Sequence, residues 1–158
     1  MKKFPEHLAI EKQFPEAVFD WHDDFGDRTL IVDPARMKDI AQLLRDEFGY
    51  NVLMDLTCVD YLPRRPRFEV VYHFLNLSAR LRLRIKTLPD DENPEVPSLT
   101  PLWPIADWYE REVWDLFGIK FRGHPNLKRL LLHESFKGHP LRKDYPKTKR
   151  QPLMDVDD

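Results

Sequence analysis

The chain has 158 residues, 42% hydrophobic and 33% charged, with a net charge of −2. That fits one folded domain and excludes a disordered chain, and no apolar run approaches the ~20 residues a membrane span needs. Cys58 is the single cysteine, which excludes an internal disulfide and any cysteine-rich zinc or iron–sulfur site and suits a cytosol-facing protein.

The first residues, Met1-Lys2-Lys3-Phe4-Pro5-Glu6, turn acidic and proline-containing at once and do not read as a signal peptide. Ala17-Val18-Phe19 and Thr29-Leu30-Ile31-Val32 read as short strands of a hairpin, joined by a loop from Asp20 to Arg28 that holds Gly26 and several aspartates. Asp33 is placed to cap a helix that begins at Pro34. Met37, Ile40, Ala41, Leu44 and Phe48 then recur at helical spacing, and Gly49 ends the helix.

Asn51 to Tyr61 is apolar on both faces, as for a strand covered on each side. Phe68, Val70, Tyr72 and Phe74 alternate with Glu69, Val71, His73 and Leu75. Leu81, Leu83 and Ile85 alternate with Arg80, Arg82, Arg84 and Lys86, which predicts a half-buried strand with a basic outer face. Asn76-Leu77-Ser78-Ala79 is a plausible tight connection, making the last two an antiparallel hairpin. Pro89 to Pro104 reads as a polar, proline-punctuated loop.

An aromatic helix is predicted from Ile105 to Phe117, capped by Gly118. On a helical wheel Ile105, Tyr109, Val113, Leu116 and Phe117 share one face. Glu112 falls inside that stripe, and Arg111 and Trp114 point the other way, which hints at a second buried surface. From Ile119 onward little periodicity remains except Leu130-Leu131-Leu132. Phe121-Arg122-Gly123-His124-Pro125 is echoed by Phe136-Lys137-Gly138-His139-Pro140, two similar turns in an extended arm. The expected fold is therefore α+β: an antiparallel or mixed sheet of about four to five strands packed with helices over residues 1–118, followed by an irregular basic arm over 119–158.

Charge is distributed in the same way. Residues 1–119 carry 15 Lys and Arg against 22 Asp and Glu, whereas residues 120–150 carry 10 against 2. The basic block is local, and it faces something specific or something acidic.

Candidate chemistry is thin. His124, His133 and His139 with Asp144 match no metal-ligand spacing, and each histidine reads more simply as part of a turn whose imidazole bonds backbone. Glu110 and Glu112 stand two apart on a helix and do not face each other. Arg111, Arg122 or Arg129 is a natural partner for Glu112. Cys58 reads as a core residue, and no glycine-rich phosphate loop occurs. The Arg80, Arg82, Arg84 and Lys86 strand, with the basic stretch Lys137 to Arg150, leaves a nucleic-acid-binding module open as a rival, against which stands the acidic pI of 6.3.

Several blocks carry a resemblance: Arg67-Phe68-Glu69-Val70-Val71-Tyr72-His73-Phe74, Arg82-Leu83-Arg84-Ile85-Lys86, Val96-Pro97-Ser98-Leu99-Thr100, Trp103-Pro104, Trp108 through Gly118, and Gly123-His124-Pro125 through Gly138-His139-Pro140-Leu141-Arg142-Lys143-Asp144-Tyr145-Pro146. Over roughly residues 15–146 the chain resembles the C subunit of the proton-pumping NADH:quinone oxidoreductase, respiratory complex I. The resemblance implies a non-catalytic structural subunit of the peripheral arm of that enzyme. It implies no cofactor in this chain, with FMN and iron–sulfur clusters in partner subunits, and no nucleic acid. It implies docking chiefly on the hydrogenase-like D subunit, with the B and I subunits nearby, on the cytoplasmic face of the inner (plasma) membrane, and membrane association only through the complex. The interface residues it suggests are Glu110, Arg111, Glu112, Trp114, Arg122, His124, Arg129, His139, Arg142, Lys143, Asp144 and Tyr145. Arginine suits such contacts because its fork binds carboxylates bidentately. Related subunits in membrane-bound hydrogenases and in ferredoxin- or F420-dependent complexes leave the electron donor open. Many relatives continue well past the Asp-Tyr-Pro motif, whereas this sequence stops at Asp158, which leaves the contacts of a longer tail open.

Overall fold

The structure, a computed structural model, describes residues 3–151. It opens with a helix that the sequence pattern hid, α1 (Pro5–Gln13). Proline stands in its first turn, where a missing N–H costs little. The helix buries Glu6, His7 and Ile10 while Leu8 is 52% exposed, so no apolar stripe of helical period marks it. The Tyr50 hydroxyl donates to Glu6 Oε1 at 2.8 Å, which satisfies part of that buried carboxylate.

β1 (Val18–Asp24) and β2 (Asp27–Val32) form a longer hairpin than the residues suggested. Asp24 pairs with Asp27, so the connection is only Phe25-Gly26 rather than the loop from Asp20 to Arg28. Aspartate is a poor strand former, but β1 is an edge strand, where outward charge is tolerated and discourages edge-to-edge pairing. Asp33 caps as its position implied, accepting the Ala35 N–H at 2.9 Å. A 3₁₀ turn over Pro34–Arg36 intervenes before α2 (Met37–Phe48), whose Met37, Ile40, Ala41 and Leu44 are fully buried.

β3 (Val52–Asp60), β4 (Phe68–Asn76) and β5 (Leu81–Thr87) complete one sheet in the order β1-β2-β5-β4-β3. β2 and β5 run parallel and the other neighbours antiparallel, so the sheet is mixed and the expected α+β class holds. β3 is not covered on both faces. It is the other edge strand, and a register shift between Leu53 and Asp55 leaves Met54 and Asp55 exposed. Phe68, Val70, Tyr72, Phe74, Leu83 and Ile85 share the core with α2, while His73, Arg82, Arg84 and Lys86 lie on the opposite face, as the alternation implied. Cys58 is a core residue, 4% exposed, and burial pushes its thiol far above the ordinary range.

The segment from Pro89 to Pro104 is not wholly irregular. It contains β6 (Glu95–Pro97), which pairs in parallel with β7 (Lys120–Arg122). Strands that short carry no readable period. Between them in sequence lies α3 (Ala106–Phe117), packed on β3 and closed by Gly118 in the left-handed region at φ 74°. Residues 123–151 contain turns but no helix or strand.

Candidate functional site

α3 buries two faces. One enters the core with Ala106, Val113, Phe117 and Glu110. Ile105 is 43% exposed and Glu112 is exposed, which corrects the wheel that put both in the apolar stripe. The acid that turns inward is Glu110, because donors await it there: Ser98 Oγ at 2.7 Å from one carboxylate oxygen and the Leu99 N–H at 2.6 Å from the other. Its side chain is fully buried, and His124 Nε2 stands 4.0 Å away. His124 Nδ1 accepts the Asn126 N–H, so Nε2 carries the proton and faces the Asp107 carbonyl oxygen at 3.3 Å. Nε2 also lies 3.2 Å from an Asp107 carboxylate oxygen, so this edge of the imidazole faces Asp107 more closely than Glu110. Burial pushes the Glu110 carboxyl up to about 7, Ser98 and Leu99 oppose this, and the Asp107 carboxylate adds to it.

The second face of α3 carries the basic arm. Asp115 is its centre. One oxygen of this fully buried carboxylate accepts the consecutive N–H groups of Leu130, Leu131 and Leu132, at 3.1, 2.8 and 2.9 Å. The other oxygen accepts from Arg129 at 2.7 Å. Burial alone would raise the Asp115 carboxyl, but the Leu132 amide, the Arg129 guanidinium and the other two amides hold it below its ordinary value. The Arg129 fork also reaches the carbonyls of Phe136 and Gly138, at 2.7 and 3.0 Å, so one side chain closes two turns of the arm onto the helix.

The remaining contacts repeat this logic of side chains tying down backbone. Arg111, 9% exposed, donates to the carbonyls of Lys128 and Arg129. His139 Nδ1 bonds the Asp115 carbonyl at 2.9 Å and must carry the proton there, since a carbonyl only accepts. Arg142 donates to the Phe117 and Gly118 carbonyls at the end of α3, where the helix leaves its last acceptors unpaired. A Cβ on Gly118 would lie 2.6 Å from the His139 ring and 2.7 Å from the Arg142 guanidinium, so a larger residue would strain the backbone angle and force both side chains to shift.

A second anchor joins the arm to the sheet. Arg67 grips Asp60 through Nε and one terminal nitrogen, at 2.9 and 2.7 Å, and Asp144 through both terminal nitrogens, at 2.7 and 2.8 Å. Asp60 also accepts the Lys143 and Leu62 N–H groups, at 2.8 and 3.0 Å. Burial disfavours its charge, but these donors, Arg67 first, pull the Asp60 carboxyl down to about 2.

Most of the interface residues suggested by the sequence thus meet within one region, but they are engaged by this chain itself. Glu112 does not pair with Arg111, Arg122 or Arg129: Arg111 binds arm carbonyls, Arg122 pairs with Glu95 at 3.1 Å, and Arg129 pairs with Asp115. Trp114 is half-buried against the Arg129 guanidinium, and Tyr145 stacks on Phe136. Lys143 reaches the Leu62 carbonyl. Each Gly-His-Pro turn does place its imidazole on backbone. Sequence reasoning missed Asp115, Asp60 and the role of Arg67. Asp115 carried a signal: a carboxylate in the last turn of a helix opposes the helix dipole, so it needs a partner to be kept.

Fold and site together define an α+β domain bearing a basic arm that is prefolded against its own last helix. The sequence profile described as "Respiratory-chain NADH dehydrogenase, 30 Kd subunit" matches residues 30–151. The C subunit of the NADH-quinone oxidoreductase of Roseiflexus sp. (strain RS-1) is 50% identical over 139 residues, covering 87% of this chain and 80% of that one. Its counterpart in Citrifermentans bemidjiense is 42% identical over 139 residues, covering 88% and 86%. Among solved structures, a trypsin-resistant fragment (1-134) of Nqo5 superposes with a TM-score of 0.66 at 32% identity, covering 76% of this chain and 97% of the fragment. A chain of the membrane-bound sulfane sulfur reductase, an archaeal respiratory membrane complex, superposes at 0.74 over 89% of this chain and 84% of that one; at 24% identity it shows the fold alone. The chain belongs to the family of the 30 kDa subunit of respiratory-chain NADH dehydrogenase.

Two expectations follow from the geometry. The folded chain keeps a proton on Glu110 that the unfolded chain releases, so the contribution of Glu110 to stability falls as pH rises from about 4.5 to about 7, by about 3 kcal/mol, while His7, His73 and His139, held below the ordinary histidine value chiefly by burial, contribute in the opposite sense. In Glu110→Gln that decline is absent, which thermal unfolding across the range will show; an identical decline in the variant would contradict the assignment. Asp115→Asn removes the charge opposite Arg129 and weakens the arm's amide contacts, costing about 3 kcal/mol. Denaturant unfolding measures the cost, and a change within about 0.5 kcal/mol would mean that Asp115 anchors nothing.

Proposed function

We propose that this chain is a non-catalytic structural subunit of the peripheral arm of an NADH:quinone oxidoreductase, where it supports electron transfer from NADH to quinone coupled to proton translocation. FMN and iron–sulfur clusters belong, on this reading, to partner subunits. The chain docks chiefly on the hydrogenase-like D subunit, with the B and I subunits nearby, at the cytoplasmic face of the membrane. Family membership supports the assignment to that complex. No helix among the described residues is long and apolar enough to cross a membrane; on this reading membrane attachment runs through partners.

One observation carries the scaffolding role. The ionisable side chains that the sequence concentrates near the arm are spent on this chain's own backbone and carboxylates. Arg67, Arg111, Arg129, Arg142, Asp60 and Asp115 hold a surface in place instead of facing a cleft. What the arm leaves outside is mainly apolar and basic: Leu131 is 63% and Leu141 51% exposed, and Lys137, Lys147, Lys149 and Arg150 are exposed along the same segment, with Glu134 the one unpaired exposed acid among the described residues of it. A prefolded surface of that composition suits a protein partner with apolar pockets and acidic rims.

The nucleic-acid reading loses ground on the same basis. Arg84 lies 3.2 Å from Asp27 and Lys86 2.9 Å from Glu69, so half of the basic strand is already neutralised. Leu131→Glu combined with Leu141→Glu is expected to leave the unfolding midpoint of the isolated chain unchanged. The same pair should reduce recovery of the tagged chain with flavin- and cluster-bearing subunits from membranes at least about tenfold, as expected when contacts at the centre of an interface are lost. Full recovery of the complex with the double variant would contradict the role given to the arm.

A further inference from the structure

His139 seats the arm on the end of α3 at a place that suits an uncharged ring. The residue is half-buried, and its Nδ1–H donates to the Asp115 carbonyl at 2.9 Å. With a proton on Nδ1, Nε2 is the one ring atom that can take up another. Nε2 and a terminal nitrogen of Arg142 each stand 2.7 Å from the point where a Cβ on Gly118 would lie, so at most twice that distance separates them. The Arg142 guanidinium is held in that position by the Phe117 and Gly118 carbonyls, to which it donates. The imidazole also meets Trp114 edge-on, with centroids 6.1 Å apart, and the Arg129 guanidinium lies 5.7 Å from the centre of the same indole.

A second proton on this ring would enter beside two fixed cations. From the arm, Arg142 and Arg129 oppose it. From α3, the Asp115 carboxylate favours it, but the oxygens of that group are already taken by three amides and Arg129. From the sheet side, Arg67, Asp60 and Asp144 act on Arg142. Burial lowers the His139 value most; the bond to the Asp115 carbonyl opposes this, Arg142 and Arg129 add to the fall, and the Asp115 carboxylate resists it. The carboxylates that anchor the arm stay charged through the histidine range. Despite burial, their donors hold Asp115 low and Asp60 at about 2, and Arg67 holds Asp144 low. A ring with a depressed folded value gives stability that is complete above the ordinary histidine value and is lost as pH falls through the folded one.

We propose that His139 is a proton-operated latch: uncharged, it pins the turn at residues 138–142 to the end of α3, and a proton on Nε2 releases that turn while residues 129–132 stay bound to Asp115. Leu141, in the released turn, belongs to the surface assigned to docking. That link to assembly rests on the reading of the chain as a subunit, whereas the test reads the latch in the full chain alone. The reporter is the Leu141 N–H, which donates to the Leu116 carbonyl at 3.1 Å. Amide exchange is followed from about pH 7.5 to about pH 5 and corrected for the intrinsic rate at each pH. Protection at Leu141 is expected to fall by at least about threefold relative to Leu130, Leu131 and Leu132. Whole-domain effects of His7, His73 and Glu110 enter all four amides alike, so equal loss at all four, or no loss, overturns the proposal. His139→Asn keeps a side-chain N–H near the place of Nδ1–H and removes the titration. Its Leu141 protection should hold constant against the other three amides, and a decline equal to the parent's overturns the latch. A measurement on the parent guards against a variant that fails to seat the turn. The His139 ring resonance, followed by NMR over the same range, should titrate below the ordinary value of 6.5. A midpoint at or above that value overturns the proposal.

Discussion

One carboxylate decides whether residues 123–151 form a surface packed on α3 or a loose segment. Asp115 sits fully buried in the final turn of α3, where the helix dipole opposes a negative charge. It is kept there by three consecutive backbone amides and one guanidinium. Those donors belong to residues 129–132, and through Arg129 the constraint passes on to the carbonyls of Phe136 and Gly138. Without helix or strand in residues 123–151, the arm has few ladder bonds of its own, so anchors of this kind replace secondary structure in satisfying buried backbone groups. Arg67, between Asp60 and Asp144, does the same where the arm crosses the sheet.

The sheet and α2 were legible because their side chains obey simple periods. Phe68, Val70, Tyr72 and Phe74 alternate inward on β4, and Met37, Ile40, Ala41 and Leu44 line one face of α2. What escaped was whatever buries polar groups. α1 hides Glu6 and His7 in place of an apolar stripe, so no period announced it. On α3, Glu110 and Asp115 turn inward and Glu112 outward, because their partners (Ser98, Leu99 and residues 129–132) lie on irregular segments whose position no local pattern encodes. The wheel treated a carboxylate in the stripe as an anomaly to be paired, and it chose the wrong one. The wheel's outward-facing Arg111 and Trp114 did signal a second buried face, and it is the chain's own arm that covers it.

A prefolded arm changes the thermodynamics of assembly. A segment that orders only on binding loses conformational entropy at that moment and weakens its own affinity, whereas an arm held by Asp115 and Arg67 has lost that entropy during folding. Family membership assigns the chain to a respiratory complex. On the proposed reading, a subunit whose arginines near α3 are spent on its own backbone contributes by shape, with Leu131 and Leu141 outward on the arm.

The most direct measurement is amide hydrogen exchange at Leu130, Leu131 and Leu132 in the isolated chain, free of partners. Protection by about a hundredfold or more over an unstructured peptide is predicted, since an anchor of about 3 kcal/mol corresponds to a factor of about 10². Exchange at the rate of an unstructured peptide would mean that the arm is ordered only by its partners, and the account of Asp115 as its internal anchor would be wrong.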